Sequence, residues 1–481
     1  MANTLLKVAI IQLALSVAVS FAVDPGMVSR VTPRGFDFLA AAGRRKAEEM
    51  ARGHRIPAQS GSSGLVSYHV SGMRITSFLM GRLLFVTNND GLWIYIKRLQ
   101  LSIYGYFHYS VSLYSADGSF DATVGDMSMS FFIRVGADTR GRPHIISFPG
   151  SCNFDAHDVS VDLHGQWGWI SDKAATYLQG YLNDEGCLQI SNAIDNMNNQ
   201  QLRSLTMLEE IYDGLELDYS FVSNPRMQMS SFDIKHKGEV YAIDQHSEAP
   251  GPIASIPVDS DQTSMFYVWI TDYLVNSAGY VLHSYGYLER NVTENDIHTG
   301  TKFSLNTSGF PLSVVFPQIR KMFPDMMTQF HVNSTEQPVF RTTTEKMTII
   351  ICGDVSAYVM QEDDTLAYLF TLGARLTTSF NVAMKGQNVT WRSKVDSFKL
   401  ELLETAIGDL NIDMIKRLLP TVMNTFINKM GAVGRNLPSF QGYYPTATNI
   451  TLGEGFLKIG TDIQQLHTPF EDLLRAIFFN E

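Results

Sequence analysis

The sequence predicts an α+β fold of two domains that share one order of elements. The chain has 481 residues, too many for a single hydrophobic core. In its first half a long helical stretch precedes alternating apolar residues from about Leu65 to Leu163, and a second helical stretch follows. A proline-containing segment ends this half, and the same order returns weakly beyond it. The net charge of −11 argues against a nucleic-acid partner, which would require a basic surface.

Residues 1–22 are predicted to be a signal peptide. Lys7 precedes a mostly apolar run, Val8–Val19, and small residues at the last and third-last positions fit cleavage after Ala22. The alternative is a membrane anchor, for which this run is short. No later stretch has the roughly 20 apolar residues of a transmembrane helix. We therefore expect a secreted, extracellular protein.

Two further features are typical of secreted proteins. The chain has three cysteines, and an oxidising compartment favours one disulfide and one remaining thiol. Cys352 lies in an apolar, strand-like segment, where a free cysteine behaves as a small hydrophobic residue, so we pair Cys152 with Cys187. Candidate sites of N-linked glycosylation are Asn291, Asn306, Asn333, Asn388 and Asn449.

The first helix is predicted from Arg34 to about Arg52. Thr32 is a suitable N-cap, and Pro33 suits the first helical position. Small and apolar residues share one side of this helix, which would allow a sheet or an acyl chain to approach closely. The residues predicted to line an acyl pocket are Leu39, Ala42 and Gly43, with ordinary core packing as the alternative for each.

The alternating run predicts a long antiparallel meander with Asp-Gly turns. A second helix is predicted from about Ser171 to Leu208. Residues 241–257 form the predicted linker, because prolines interrupt regular structure there. Further helices are predicted near Pro311–Phe323 and Asn411–Lys429. From Thr468 the sequence predicts an amphipathic terminal helix, which either packs on the body or touches a membrane. A second pocket would be lined by Leu410, Met414, Leu418 and Met423, again with core packing as the alternative.

The sequence lacks the motifs of a secreted lipid enzyme. It contains no Gly-X-Ser-X-Gly elbow, no His-Glu-X-X-His zinc motif and no P-loop. The acidic turn 362–364 is more typical of a solvated loop than of a calcium site, so no metal site is expected. An enzyme whose catalytic residues come from distant positions stays open as an alternative. We expect a protein without covalent chemistry.

Several short motifs resemble one lipid-binding family. The start of the mature chain, Val23–Arg30, and the following Gly35-Phe36-Asp37-Phe38 resemble the opening of a family that includes bactericidal/permeability-increasing protein, lipopolysaccharide-binding protein and phospholipid transfer protein. Gly168-Trp169, the cysteine pair and Lys321-Met322-Phe323-Pro324 follow in the order of that family. The resemblance extends from Val23 to about Ile463.

The resemblance implies an elongated boomerang of two tubular lipid-binding domains joined by a central sheet. Each domain would be a twisted antiparallel sheet wrapped around a long helix, and the domains would span residues 23–240 and 258–481. Each would hold a phospholipid in an apolar pocket, where burial contributes about 0.8 kcal/mol per CH₂ group. No cofactor besides this bound phospholipid is implied.

The tip of the first domain departs from the antibacterial member, whose tip is rich in lysine. The corresponding hairpin, Tyr104–Phe120, contains no Lys or Arg. Its tyrosines at positions 104, 106 and 109 suit a lipid interface instead. Basic residues gather on and just after the first helix, either as a solvated face or as a contact for anionic head groups. They are Arg34, Arg44, Arg45, Lys46, Arg52 and Arg55.

The expected function is binding of phospholipids or other amphipathic lipids, with transfer through transient contact with a membrane or lipoprotein surface. The second expectation is innate-immune binding of bacterial lipopolysaccharide. The missing basic tip weakens it, because phosphate recognition normally uses Arg and Lys. A secreted esterase and a protein-docking scaffold are the remaining alternatives.

Overall fold

The computed structural model describes nine stretches of the chain. They are residues 24–63, 66–111, 114–164, 168–243, 245–257, 259–296, 304–385, 388–436 and 443–465. The predicted signal peptide, residues 1–22, and the predicted terminal helix from Thr468 lie outside the described residues.

The first helix begins where the sequence predicts. Strand β1 (Met27–Val31) leads to Thr32, whose extended backbone and side-chain hydroxyl cap the helix. The hydroxyl oxygen accepts a hydrogen bond from the N–H of Gly35, and Pro33 takes the first helical position. Helix α1 spans Pro33–Ala51, within one residue of the prediction at each end.

A six-stranded antiparallel sheet packs against α1 and a second long helix. Its order is β2-β3-β4-β5-β6, and β7 also pairs with β5. The predicted meander is therefore confirmed. The second helix, α2, ends earlier than predicted, because a short 3₁₀ turn and a strand replace its expected last residues. The bounds are β2 (Gln59–Ser63), β3 (Val66–Thr87), β4 (Leu92–Val111), β5 (Tyr114–Ala137), β6 (Pro143–Ser147), β7 (Asn153–Leu163) and α2 (Gly168–Gln200).

A line of β-bulges crosses three adjacent strands of this sheet. Arg98 in β4, Asp126 in β5 and Asp158 in β7 have φ angles of 55°, 42° and 47°. The strand register shifts beside each of them. An extra residue in one strand bends it and increases its right-handed twist. Bulges at the same level therefore curve the whole sheet toward the helices.

The C-terminal half repeats the arrangement of helix, antiparallel sheet and helix. Its sheet has the order β14-β15-β16-β17-β18-β19. The strands of the rest of the chain are β8 (Leu208–Tyr212), β9 (Leu215–Asp218), β10 (Arg226–Gln228), β11 (Ser231–His236), β12 (Glu239–Ala242), β13 (Phe266–Thr271), β14 (Arg290–Val292), β15 (Thr328–Thr342), β16 (Met347–Met360), β17 (Leu366–Lys385), β18 (Asn388–Thr405), β19 (Arg435–Asn436), β20 (Tyr443–Gly453) and β21 (Phe456–Gln465).

The helices of this half include both predicted helical segments and one further helix. Helix α3 (Asp272–Ser284) follows β13 directly and was not predicted. The helical stretch predicted near Pro311–Phe323 is confirmed, but it is divided into two short helices, α4 (Leu312–Val315) and α5 (Pro317–Met322). Proline at position 317 cannot donate the hydrogen bond that would continue α4. Helix α6 (Asp413–Val433) lies close to its predicted position.

A central sheet contains strands from both halves, as predicted. Its order is β10-β11-β1-β13-β21-β20. Strand β1 lies between β11 and β13, and β13 pairs with β21 on its other side. The predicted linker is irregular over residues 245–257, but its first two residues belong to β12. The domain limits of 23–240 and 258–481 stay predictions.

Charged and aromatic side chains cover one face of the central sheet. The side chain of Arg30 is 7% exposed and forms a salt bridge of 2.6 Å with Asp233. Its guanidinium lies 5.0 Å from the ring centre of Trp269 and donates to the carbonyl of Asp259 at 2.5 Å. The same side chain therefore joins two strands and the segment after the linker.

A second cation holds that segment from the other side. The ammonium of Lys458 lies 2.5 Å from Asp259, 2.9 Å from Asp261 and 4.4 Å from the ring centre of Tyr267. Burial disfavours its charge, but hydrogen bonds to both carboxylates outweigh burial and raise the pKa of Lys458. The hydrogen bond from Lys458 lowers the pKa of Asp261. This cluster is charged at neutral pH and fixes the segment over the sheet.

Asparagine side chains on the helices pair with the free edges of the sheets. Asn198 of α2 accepts from the N–H of Ile145 in β6 at 2.9 Å and donates to its carbonyl at 2.6 Å. One side-chain amide thus makes the two bonds that a neighbouring strand would make. The same pairing joins Asn276 of α3 to Phe340 of β15, and Asn428 of α6 to Ser393 of β18.

Helix α1 meets the free edge of β3 differently. The carboxylate of Glu48 accepts from the N–H of Met80 at 3.0 Å, and Arg44 donates to the carbonyl of Gly81 at 3.4 Å. Two charged side chains one helical turn apart therefore replace the single amide. Every long helix of the described chain is held to a strand edge through hydrogen bonds to its backbone.

We predict that Asn198→Ala lowers the free energy of unfolding by about 1–3 kcal/mol, because the backbone of Ile145 loses both partners. Asn199→Ala, at an exposed position of the same helix, is the control and should be neutral or slightly stabilising, since Ala is the better helix former. Urea unfolding compares the variants, and hydrogen exchange at the Ile145 amide should accelerate only in the first. Equal stabilities would contradict the prediction.

We also predict that Lys458→Met destabilises the chain by about 2–3 kcal/mol, because two partly buried carboxylates lose their counter-ion. Lys46→Met is the matched control: its ammonium and the Glu49 carboxylate are each 70% exposed and 3.7 Å apart, so little should change. The midpoints of thermal and urea unfolding measure both effects. The prediction fails if the two variants unfold alike.

Candidate lipid-binding interior

The inward face of β4 indicates how completely the N-terminal interior is filled. Leu92, Leu99 and Phe107 are buried, with exposures of 8%, 4% and 7%. A filled core would bury the apolar residues between them equally, because core side chains are contacted on all sides. Those residues are only half-buried: Ile94, Ile96, Leu101 and Ile103. Apolar surface therefore remains uncovered between sheet and helices.

The buried residues of this half form three separate clusters. They follow one another along α2, from Ile194 at one end, past Leu182, to Ile170 at the other. A domain usually has one contiguous core. Since α2 has 33 residues, it is about 50 Å long. The interior is thus long, narrow and incompletely packed. Its long, narrow form suits an extended acyl chain.

The C-terminal half combines a compact core with a looser region. Its core lies around α4, α5 and the adjoining strand ends and includes Phe316, Leu369 and Phe370. Helix α6 reaches this core with Ile415. Farther along α6, apolar side chains one, two and three turns on are only half-buried: Leu419, Met423 and Ile427. The uncovered apolar surface of this half therefore lies beside α6.

The predicted lining residues of the first pocket lie on or beside the buried side of α1. Phe36 and Ala40 are buried, whereas Leu39 is 38% exposed and Ala42 is half-buried. Gly43 is exposed, and a Cβ atom there would lie 3.6 Å from Leu83 in β3. The helix is thus turned by about one residue from the expected orientation. Contact of these residues with lipid stays a prediction.

The predicted lining residues of the second pocket have different surroundings. Leu410 precedes α6 and is buried in the compact core. Met414 is 41% exposed in the first turn of α6, and Met423 is half-buried farther along it. Leu418 belongs to α6, but its side chain lies outside the described residues. Of the four, Met423 belongs to the loosely packed region beside α6. The sequence alone could not distinguish this region from the compact core.

The structure contains the predicted disulfide. Cys152, just before β7, is bonded to Cys187 in the middle of α2. The bond fastens the helix to the sheet that it covers. Cys352 is free and buried in β16, where the guanidinium of Arg375 lies 3.1 Å from its sulfur. Burial raises the pKa of the Cys352 thiol, so the neutral form is favoured.

The predicted glycosylation sites differ in accessibility. Asn291, Asn333 and Asn449 are exposed, and Asn388 is half-buried. Asn306 is half-buried, and its side-chain oxygen accepts from the backbone of Ser308 at 2.8 Å. The first three therefore present the more accessible amides, and modification of all five stays a prediction.

Three comparisons with known proteins agree with this architecture. A family model described as "LBP / BPI / CETP family, C-terminal domain" matches residues 210–465. The chain belongs to this family. It is 26% identical over 466 residues to bactericidal permeability-increasing protein of Sebastes schlegelii, with 93% of this chain and 97% of that protein covered. It is 24% identical over 480 residues to human lipopolysaccharide-binding protein, with 97% and 99% covered.

A solved structure supports the same fold. A crystal structure of lipopolysaccharide binding protein aligns with 93% of this chain and 100% of its own length, at a TM-score of 0.53 and 21% identity. The predicted fold class, an elongated α+β boomerang of two tubular domains joined by a central sheet, is confirmed. At this identity the match concerns the fold alone.

At the tip of the N-terminal domain, polar side chains from neighbouring strands form a row across the sheet. The strand register places Ser60, His69, His108 and Asp117 side by side on β2, β3, β4 and β5. Ser60 bonds His69 at 2.7 Å, and His108 bonds Asp117 at 2.6 Å. The two histidines are far apart in the sequence, and only the strand register brings them together.

The tyrosines of the tip do not share one orientation. Tyr106 is 53% exposed, and Tyr104 lies beside it beneath the guanidinium of Arg74. Tyr109 instead packs with Phe107 on the inner side. The basic residues on α1 are partly engaged as well: among them the arginine at position 34 bonds Asp462.

The described stretches hold no group of three or more His, Cys, Asp or Glu side chains placed to bind a metal ion. None of their helices is long and apolar enough to cross a membrane.

We predict that Leu101→Phe changes the free energy of unfolding by less than about 1 kcal/mol, because the half-buried site has room for the larger ring. Leu99→Phe, two residues earlier on the same face, should cost about 1–3 kcal/mol through overpacking of a filled cluster. Urea unfolding measures both. Equal losses at the two positions would mean that the interior is filled.

Proposed function

We propose that this protein binds lipid, holding phospholipid-like acyl chains in its apolar interior, and carries them between membranes or particles. The observation that carries the proposal is the half-covered apolar surface between the N-terminal sheet and α2. Burial of each CH₂ group there contributes about 0.8 kcal/mol, so an acyl chain gains affinity without a specific polar contact. Membership of the LBP/BPI/CETP family supports the same reading.

The proposal includes release from the cell and the absence of covalent chemistry. The predicted signal peptide and the disulfide support an oxidising, extracellular location. Transfer needs only an interior that opens toward a donor membrane, and no catalytic group. The ligand is a phospholipid or a similar amphipathic lipid, met at a membrane or lipoprotein surface.

Binding of bacterial lipopolysaccharide is the second candidate. Relatives aligned over nearly their whole length are named lipopolysaccharide-binding protein, which favours it. Against it, the hairpin Tyr104–Phe120 offers no Lys or Arg for phosphates. Part of the basic cluster on α1 is also used internally, since Arg44 bonds the backbone of β3. We therefore rank it below lipid transport.

The test is native mass spectrometry of protein secreted from eukaryotic cells, followed by extraction and lipid analysis. We expect about two phospholipid-sized molecules per chain, one for each tubular domain. Leu101→Glu should lower this number, because it places a charge on the apolar inner face. Gln100→Glu, at the exposed neighbouring position on the outer face, is the control and should leave it unchanged.

Three outcomes would contradict the proposal. A chain that carries no lipid and takes up none from added phospholipid would favour a docking scaffold. Release of free fatty acid from bound lipid would indicate an esterase. Loss of lipid from both glutamate variants alike would separate lipid binding from the inner face of the sheet.

A further inference from the structure

The outer face of the N-terminal tip has an unusual composition. It comprises three imidazoles, three carboxylates, several hydroxyls and exposed tyrosine, and we call it the tip face. Around a groove of about 590 Å³ it presents His69, Ser71, Tyr106, His108, Asp117 and Ser119. The adjoining part adds Asp121, Asp162 and His164. Nothing in the acyl-binding interior uses these side chains, because they point away from it.

The histidines of the tip face are accessible and paired with acids. The His108 ring is 49% exposed and bonds Asp117, which is 78% exposed. The His164 ring is 45% exposed and lies 2.8 Å from Asp121 and 3.9 Å from Asp162. These contacts join three strands, β4, β5 and β7, and the turn after β7.

The charge of the tip face depends on these imidazoles. His69 is exposed, bonds Ser60 on one side and neighbours His108 on the other. Arg74 and the exposed Arg55, which lie opposite each other across a strand bridge, face the three carboxylates, which gives a net charge of −1 while the imidazoles are neutral. Protonation of all three imidazoles makes it +2. Imidazole is the side chain that ordinarily changes charge between about pH 5 and 8.

We propose that the tip face is a docking surface for membranes rich in anionic phospholipid, engaged when its three histidines are protonated. At neutral pH the carboxylates repel such a membrane. On acidification the histidines offset them, and the exposed ring of Tyr106 can enter the head-group region, where tyrosine is favoured. The inference rests on the proposed lipid-binding function and adds a condition for membrane contact.

The test is co-sedimentation of the full chain with vesicles of phosphatidylcholine alone or with about 30 mol% phosphatidylserine, at pH 7.4 and 5.5. Each added positive charge near an anionic surface strengthens binding about fivefold, so three give roughly 100-fold tighter binding to the anionic vesicles at pH 5.5. Phosphatidylcholine vesicles should show little pH dependence. Raised salt should weaken the acidic binding, since exposed charges are screened.

The deciding variant is the triple substitution His69→Asn, His108→Asn and His164→Asn, which keeps hydrogen-bonding groups but cannot gain protons. It should lose the pH dependence. His331→Asn, a histidine of the C-terminal half beside Glu289, is the control and should keep it. The triple variant also tests whether acid simply unfolds the chain. Unfolding would promote vesicle binding of the wild type, the triple variant and the His331→Asn control alike.

Two results would overturn the proposal: wild-type binding to anionic vesicles that is equal at both pH values, or a triple variant that responds to pH as the wild type does. Lipid content by native mass spectrometry separates this failure from that of the proposed function. If the wild type carries lipid but its vesicle binding does not respond to pH, only the proposed docking surface is contradicted. If the wild type carries no lipid and takes up none, the proposed lipid-binding function is contradicted.

Discussion

The structure depends on how the edges of its curved sheets are completed. A free strand edge presents N–H and C=O groups that need partners wherever water is displaced. Here the partners are side chains of the helices, most clearly Asn198, Asn276 and Asn428, each of which makes two backbone hydrogen bonds. Asparagine is a poor helix former, so its place inside three helices reflects this contact. The edges thereby fix where each helix lies.

This mode of attachment has a consequence for the interior. In most domains apolar packing holds a helix against its sheet, so the space between them has to be filled. Hydrogen bonds to strand edges and the disulfide from Cys187 hold α2 in place along its margin. The apolar face between can then stay partly uncovered, as at Ile96 and Leu101, without loss of the helix position. A lipid-binding interior is compatible with a stable scaffold for this reason.

Local signals in the sequence predicted those elements that local interactions determine. The first helix follows from Thr32 and Pro33, and the meander from its period of two. Helix α3 was not predicted, because tertiary contacts define it: Ser277 accepts a hydrogen bond from β12, and Gly279 packs closely on Pro338. Neither residue favours a helix by itself. Pocket residues were uncertain for a similar reason, since the strand edge at Met80 sets the rotation of α1.

The central sheet makes the two lipid-binding halves one mechanical unit. Strand β1, from the start of the described chain, is paired on both sides, and its partner β13 is paired in turn with β21 near the end. Arg30 and Lys458 hold the segment at Asp259 over this sheet from opposite sides. Because buried, paired charges lose much of their stabilisation when one partner moves, relative motion of the halves is costly. The proposed lipid exchange therefore requires that a helix separates from its strand edge within one half, rather than that the halves move apart. The seam between α1 and β3 is held by charged side chains, Arg44 and Glu48, rather than by an amide. Charged groups regain solvation when they separate, so breaking these two contacts costs less than leaving the backbone partner of a buried amide unpaired.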